Sequence, residues 1–169
     1  KKTISEISND GRKAGMIVYN HPGEPTYKYF DSLLAESEKF QPDCVIGVGG
    51  GSVLDCAKLL AALTGNDQTL NEVSGINLLK ERVLPLICIP TTSGTGSEVS
   101  PNAILLNEVT LVKTGIISPW LVPDVCYIDP ELTISLPAGL TAETGMDALC
   151  HCIEAYMNIN AHPAVDLYA

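Results

Sequence analysis

The chain has 169 residues, of which 46% are hydrophobic and 18% charged, the usage of a globular protein with a sizeable core rather than of a disordered segment. Twenty acidic residues against ten basic ones leave a formal charge of −10. That is the wrong sign for a phosphate-backbone footprint, so no nucleic-acid partner is expected.

In chain order, Lys1–Lys13 is polar and reads as the end of a helix. It has no apolar h-region of a secretory signal. Gly15-Met16-Ile17-Val18-Tyr19 reads as a strand ending at Asn20, and His21-Pro22-Gly23-Glu24-Pro25 as a loop in which His21 is a plain surface residue. Thr26 is the expected N-cap of a helix with Tyr27, Phe30 and Leu34 on one face.

The next stretch, Asp43-Cys44-Val45-Ile46-Gly47-Val48-Gly49-Gly50-Gly51-Ser52-Val53-Leu54-Asp55-Cys56-Ala57-Lys58, carries the strongest chemical signal. An apolar, β-branched run stops at three glycines and resumes as Val53, Cys56, Ala57 and Leu60 at helical spacing: strand, tight turn, helix. The first-turn amides of such a helix have no internal acceptor, and its dipole is positive at that end. Glycines there let an anion reach the backbone, the design of a phosphate site. Ser52 is read as the N-cap or a hydroxyl donor, and Asp55 as an acceptor for an amide or a sugar hydroxyl. The same pattern also suits a purely structural strand-to-helix turn. The apolar stretch Cys44–Leu63 is broken by Asp55 and Lys58 and by glycines, so it is not a membrane span.

Thr64-Gly65-Asn66-Asp67 reads as a helix stop, followed by a polar connection to Arg82. Leu84–Pro90 is then a short buried strand framed by prolines. Its carboxyl end carries a second polar loop, Pro90-Thr91-Thr92-Ser93-Gly94-Thr95-Gly96-Ser97-Glu98. Ligands of open α/β sheets bind outside the carboxyl ends of strands, so the two loops are expected to face one crevice. Ala103–Leu106 and Thr110–Val112 are read as a hairpin around Asn107-Glu108 with Lys113 at its far end, and Leu121–Ile128 as a further extended run.

After Pro137 the pattern becomes helical, with Thr141 as N-cap and Met146, Leu149, Ile153 and Tyr156 along one face. Asp147 and His151 stand four apart, close enough to aim at one ion, and carboxylate plus imidazole suits Fe2+ or Zn2+. Two ligands do not make a site, and an i,i+4 Asp/His pair is also an ordinary surface hydrogen bond. The six cysteines (44, 56, 88, 126, 150, 152) fall mostly in apolar runs, which points to reduced thiols in a cytoplasmic protein. Cys150 and Cys152, two apart on a helix, are read as buried thiols, and His162 as a surface residue.

Four segments in this order, Gly49–Asp55, Pro90–Glu98, Ile117-Ser118-Pro119 with Asp129-Pro130, and Gly145–Tyr156, resemble the iron-containing alcohol dehydrogenases. The resemblance implies an α/β fold: a Rossmann-like dinucleotide-binding domain over residues 1–135, followed by the beginning of an all-helical metal and substrate domain over 136–169. It implies NAD or NADP held by Gly50, Gly51, Ser52, Asp55, Thr91, Thr92, Thr95 and Lys113. It also implies a divalent metal, iron before zinc, on Asp147 and His151, which would act catalytically through that metal. Asn20 stands nearest to the family's cofactor-selecting aspartate, which leaves NAD against NADP open.

The implied reaction is hydride transfer between the nicotinamide and a small alcohol or aldehyde, in a protein that is a homo-oligomer at full length. The family's other two metal histidines lie downstream of this sequence, so the chain is expected to be a piece of a longer protein. Two alternatives stand beside this: a nucleotide-binding module without catalysis, and a glycerol-dehydrogenase-like member of the same architecture.

Overall fold

A computed structural model describes residues 13–159 and 161–168. The expected helix end at Lys1–Lys13 lies almost wholly outside the described residues. Helix α1 (Tyr27–Phe40) is followed by β1 (Val45–Gly49), α2 (Gly51–Leu63), α3 (Leu70–Val73), β2 (Gly75–Ile76), β3 (Leu86–Pro90), β4 (Asn102–Asn107), β5 (Val112–Ile117), β6 (Val125–Cys126), α4 (Ala138–Met157) and α5 (Pro163–Asp166), with 3-10 turns at Pro119–Leu121 and Pro130–Thr133. The strands form two sheets. One is parallel, in the order β1-β3-β6; the other, β2-β5-β4, pairs β2 parallel and β4 antiparallel to β5.

Helix α2 is the centre of this α/β arrangement. It is apolar around nearly its whole circumference, as a helix packed on two sides must be, and every residue from Cys56 to Leu63 is buried. One side meets Leu86 and Cys88 of the parallel sheet through Leu54, Ala57 and Ala61. The other side meets Phe30 and Leu33 of α1 and Ala103, Leu105 and Ile116 of the second sheet through Leu59, Leu60 and Leu63. Each such large side chain contributes about 1.5–3 kcal/mol by leaving water.

Thr26 caps α1 as expected, its hydroxyl accepting from Tyr29 N at 3.2 Å. The stop after α2 also holds, with Gly65 at φ +75°. The hairpin forms with Asn107 opposite Val112, but its second strand is Val112–Ile117 rather than Thr110–Val112, because Asn107 Oδ1 accepts from Val109 N and Thr110 N and folds those residues into the turn.

Several expectations change. Gly15–Tyr19 is not a strand: no ladder partner lies beside it among the described residues, Met16 and Val18 are exposed, and Gly15 sits against the Phe40 ring. The polar connection contains α3, closed by a capping box of Thr69 and Glu72. The helix after Pro137 starts at Ala138, so Thr141 lies inside it; the Thr141 hydroxyl donates back to Pro137 O at 3.2 Å.

The described cysteines are all free thiols. Burial pushes Cys56 up to about 12 and Cys88 up to about 11, whereas Cys150 is exposed on α4, a helix with no buried residue. The expectation that Cys150 and Cys152 are buried is therefore corrected, Cys150 being exposed and Cys152 half-buried. Since the thiolate is the nucleophile, iodoacetamide at neutral pH should label Cys150 first and reach Cys56 and Cys88 only on unfolding. Peptide mass mapping that found Cys56 or Cys88 labelled in the native chain would refute this.

Candidate functional site

The two polar loops meet at the carboxyl ends of β1 and β3. Gly49 and Pro90 are register partners, and Thr91 N donates to Gly49 O at 3.0 Å. The side of Gly50 and Gly51 where a Cβ would point is already taken: a Cβ on Gly50 would lie 3.1 Å from Thr92 Cγ2, and one on Gly51 3.1 Å from Thr95 Cγ2. The glycines thus let the second loop close over the first as well as baring the backbone. Gly50 is the N-cap of α2, and Ser52 sits one residue inside the helix, which corrects the reading of Ser52 as N-cap. The first-turn amides of Gly51 and Ser52 have no acceptor within the helix.

A cleft of about 670 Å³ opens here, lined on one side by Gly50, Gly51, Ser52, Val53, Thr91, Thr92 and Thr95. Across from them stand Leu132, Ser135, Leu136 and Pro137, with Leu140 and Thr144 of α4. Six of the eight expected cofactor residues are therefore brought together. The opposite wall was not anticipated. Its one legible signal is helical spacing, since Leu140, Thr144, Asp147 and His151 follow i, i+4, i+7, i+11 and share a stripe.

Asp147 and His151 lie further along that stripe, about 4.5 and 10.5 Å in axial rise beyond Thr144. Asp147 Oδ1 is 3.7 Å from His151 Nε2, and both side chains are about half exposed. A carboxylate and an imidazole converging at this separation have the chemistry to chelate one borderline divalent ion. Among the described residues no third His, Cys, Asp or Glu joins them.

Asp55 and Lys113 do not line the cleft. Asp55 is turned inward, accepting from Ser97 Oγ at 2.5 Å and Ile104 N at 3.0 Å, with Lys58 Nζ 3.8 Å away. Burial raises its carboxyl above the ordinary range, against the opposing pull of Ser97 and Lys58. The geometry gives Asp55 the task of holding the Thr95-bearing loop, because Ser97 N in turn donates to Thr95 Oγ1 at 3.3 Å. Lys113 is ion-paired with Glu24 at 2.5 Å.

His21 departs from the expected plain surface residue: it packs between Tyr19 and Tyr29, with ring centroids at 6.4 and 4.7 Å, and its Nδ1 is buried without a hydrogen-bond partner. Tyr19 donates to Gly23 O at 2.9 Å, and burial pushes its hydroxyl up to about 12. His162 is exposed, and its Nδ1 caps α5 by accepting from Ala164 N at 3.1 Å.

No helix among the described residues is long and apolar enough to cross a membrane.

Two family models match the chain: iron-containing alcohol dehydrogenase over residues 1–130, and the C-terminal part of the Fe-containing alcohol dehydrogenase family over 141–169. The chain is 40% identical to long-chain-alcohol dehydrogenase 1 of Geobacillus thermodenitrificans, over 96% of this chain and 42% of that protein. It is 41% identical to the NAD-dependent methanol dehydrogenase of Bacillus methanolicus, over 97% of this chain and 44% of that protein. A solved 1,3-propanediol oxidoreductase superposes with a TM-score of 0.88 at 36% identity, covering 98% of this chain and 43% of that one; its likeness carries the α/β, Rossmann-like fold. The chain thus spans less than half the length of these relatives. With both family models matched in sequence order and the cleft built from the residues that carry the resemblance, the chain belongs to the iron-containing alcohol dehydrogenase family.

Proposed function

We propose that the full-length protein carrying this chain is a metal-dependent, NAD-linked dehydrogenase that interconverts a small alcohol and its aldehyde. The observation that carries this is the shared stripe of α4. It lines the cleft with Leu140 and Thr144 and then presents Asp147 and His151 beyond its edge. NAD is favoured over NADP by the NAD dependence of the methanol dehydrogenase relative. Iron is favoured over zinc by the family description.

In this reading the amides of Gly51 and Ser52 and the hydroxyls of Thr92 and Thr95 hold the dinucleotide's phosphates, with Gly50 and Thr91 completing the floor. Asp55 keeps Thr95 in place through Ser97, and Lys113 reaches the dinucleotide only by leaving Glu24. The apolar side chains Leu132, Leu136 and Leu140 exclude water from the opposite wall. Asp147 and His151 hold the divalent ion and so fix where the substrate oxygen sits. When bound, the ion supplies Lewis-acid stabilisation of that oxygen and the nicotinamide exchanges a hydride with the adjacent carbon.

The test is NADH formation by the full-length protein with saturating Fe2+ or Zn2+, NAD and a series of short primary alcohols and diols. No turnover on any of them would overturn the assignment. Substituting Gly51→Val should weaken NADH binding by at least about tenfold, since its Cβ would press on Thr95, its γ-methyl groups would enter the cleft, and one lost anion contact to a helix N-terminus is of that order. Fluorescence titration with NADH measures this, and unchanged affinity would place the dinucleotide elsewhere.

A second reading is a nucleotide-binding module without catalysis. It needs only the cradle of Gly50, Gly51, Thr92 and Thr95 and asks nothing of Asp147 and His151. NADH binding with no turnover in metal-replete buffer would select it.

A further inference from the structure

Gly94 stands where the cofactor loop meets the helix that carries Asp147 and His151. Its φ is +155°, and a Cβ built on it would fall 2.1 Å from the Thr144 carbonyl oxygen and 3.0 Å from Thr144 Cβ. No L side chain fits there unless loop or helix backbone moves by about an ångström, given ordinary van der Waals contact distances. On one side, the same loop sets Thr92 and Thr95 against Gly50 and Gly51. On the other side, Thr144 is one turn before Asp147 and two turns before His151. Within this chain α4 has no buried residue, and Thr144 is where it meets the loop.

We propose that Gly94 is a positioning residue that couples the two ligand sites. By letting loop and helix meet backbone to backbone, it makes the filling of the dinucleotide cradle and the placement of the Asp147–His151 pair depend on each other. Thr144 is the connecting residue, since it both lines the cleft and touches Gly94. The coupling is reciprocal by linkage: whatever factor NADH adds to metal affinity, metal adds to NADH affinity. The inference rests on the reading of this cleft as the cofactor and metal site, and goes beyond it by assigning Gly94 a role that neither ligand touches.

The experiment uses the full-length protein freed of metal by chelation. Co2+ binding is measured by equilibrium dialysis with and without NADH, and NADH binding by fluorescence with and without Co2+. In the wild type each ligand should raise the other's affinity by about fivefold or more, the lower end of ordinary site–site coupling. In Gly94→Ala the factor should fall to about one, with Co2+ affinity down by about tenfold, because the added methyl drives α4 off the loop. Gly96→Ala is the control: Gly96 also has a positive φ of +62° but nothing lies within 4 Å of its Cβ position. It strains the same loop without touching α4, so it should weaken NADH binding and keep the coupling.

A second readout needs no variant. Amide exchange across residues 140–151 of the metal-free wild type should slow on adding NADH. Exchange that NADH leaves unchanged, a Gly94→Ala protein that keeps the coupling, or a Gly96→Ala protein that loses it equally would each overturn the proposal. A wild type that binds both ligands without coupling overturns it alone, whereas one that binds neither overturns the functional reading as well.

Discussion

Replacing His151 by alanine in the full-length protein is expected to lower kcat/KM for alcohol oxidation by about a thousandfold, while NADH affinity, compared with the wild type in the absence of metal, changes by less than about threefold. The rate loss follows from the several kcal/mol that a bound ion contributes to charge stabilisation at the reacting oxygen, at about 1.4 kcal/mol per factor of ten. The spared NADH affinity follows from position: His151 lies two turns beyond Thr144, off the cleft floor formed by Gly50, Gly51 and the threonines. Asp147→Asn should sit between wild type and His151→Ala, because an amide oxygen still ligates but carries no charge. The checks are metal content by mass spectrometry after dialysis, steady-state kinetics and NADH fluorescence. A His151→Ala protein that retains both metal and rate would remove the pair from the mechanism.

What was legible in advance follows from how local each signal is. The glycine turn, the Thr26 cap and the stop at Gly65 are set within one or two turns of chain, and all three stand where the pattern puts them. The facing of the two polar loops was also readable, because parallel strands carry their carboxyl ends to one edge. Asp55 was not. Its spacing from Ser52 suited a ligand contact, but Ser97 and Ile104, more than forty residues away in sequence, draw its carboxylate inward.

Gly15–Tyr19 failed for a related reason. An apolar, β-branched run predicts a strand only if a partner edge exists, and none lies beside it among the described residues. The exposure of Cys150 and of the Met146–Tyr156 face is equally non-local, since it depends on what α4 packs against. The far wall of the cleft belongs to the same class, for Leu132 and Leu136 carry no chemistry that would single them out.

Lys58→Met is expected to be strongly destabilising, costing about 3–5 kcal/mol of a total near 5–15 kcal/mol. The Lys58 side chain is fully buried, and its ammonium donates to Ser100 O at 3.0 Å, Ser100 Oγ at 3.1 Å and Asn102 O at 2.8 Å. It therefore joins α2 to the segment that enters β4 while offsetting the charge of Asp55. Methionine keeps the volume but leaves three acceptors unsatisfied and a buried carboxylate without its cation. The pH dependence follows from the native Asp55 carboxyl, which burial already holds above its ordinary range and which Lys58 pulls back down. Without Lys58 it rises further.

A carboxyl with a raised native pKa binds more protons folded than unfolded between the two values, so stability falls as pH rises through that window. The deficit of Lys58→Met should accordingly be smaller at a pH of about 5 than at a pH of about 8. The double variant Asp55→Asn/Lys58→Met should be less destabilised than Lys58→Met and lose the extra pH dependence, because the amide can still accept from Ser97 or Ile104 without a charge to bury. Urea denaturation of the three variants and the wild type at both pH values measures this. A Lys58→Met deficit that is constant with pH, or no recovery in the double variant, would mean that the ammonium acts through its hydrogen bonds to Ser100 and Asn102 alone and that Asp55 does not depend on it.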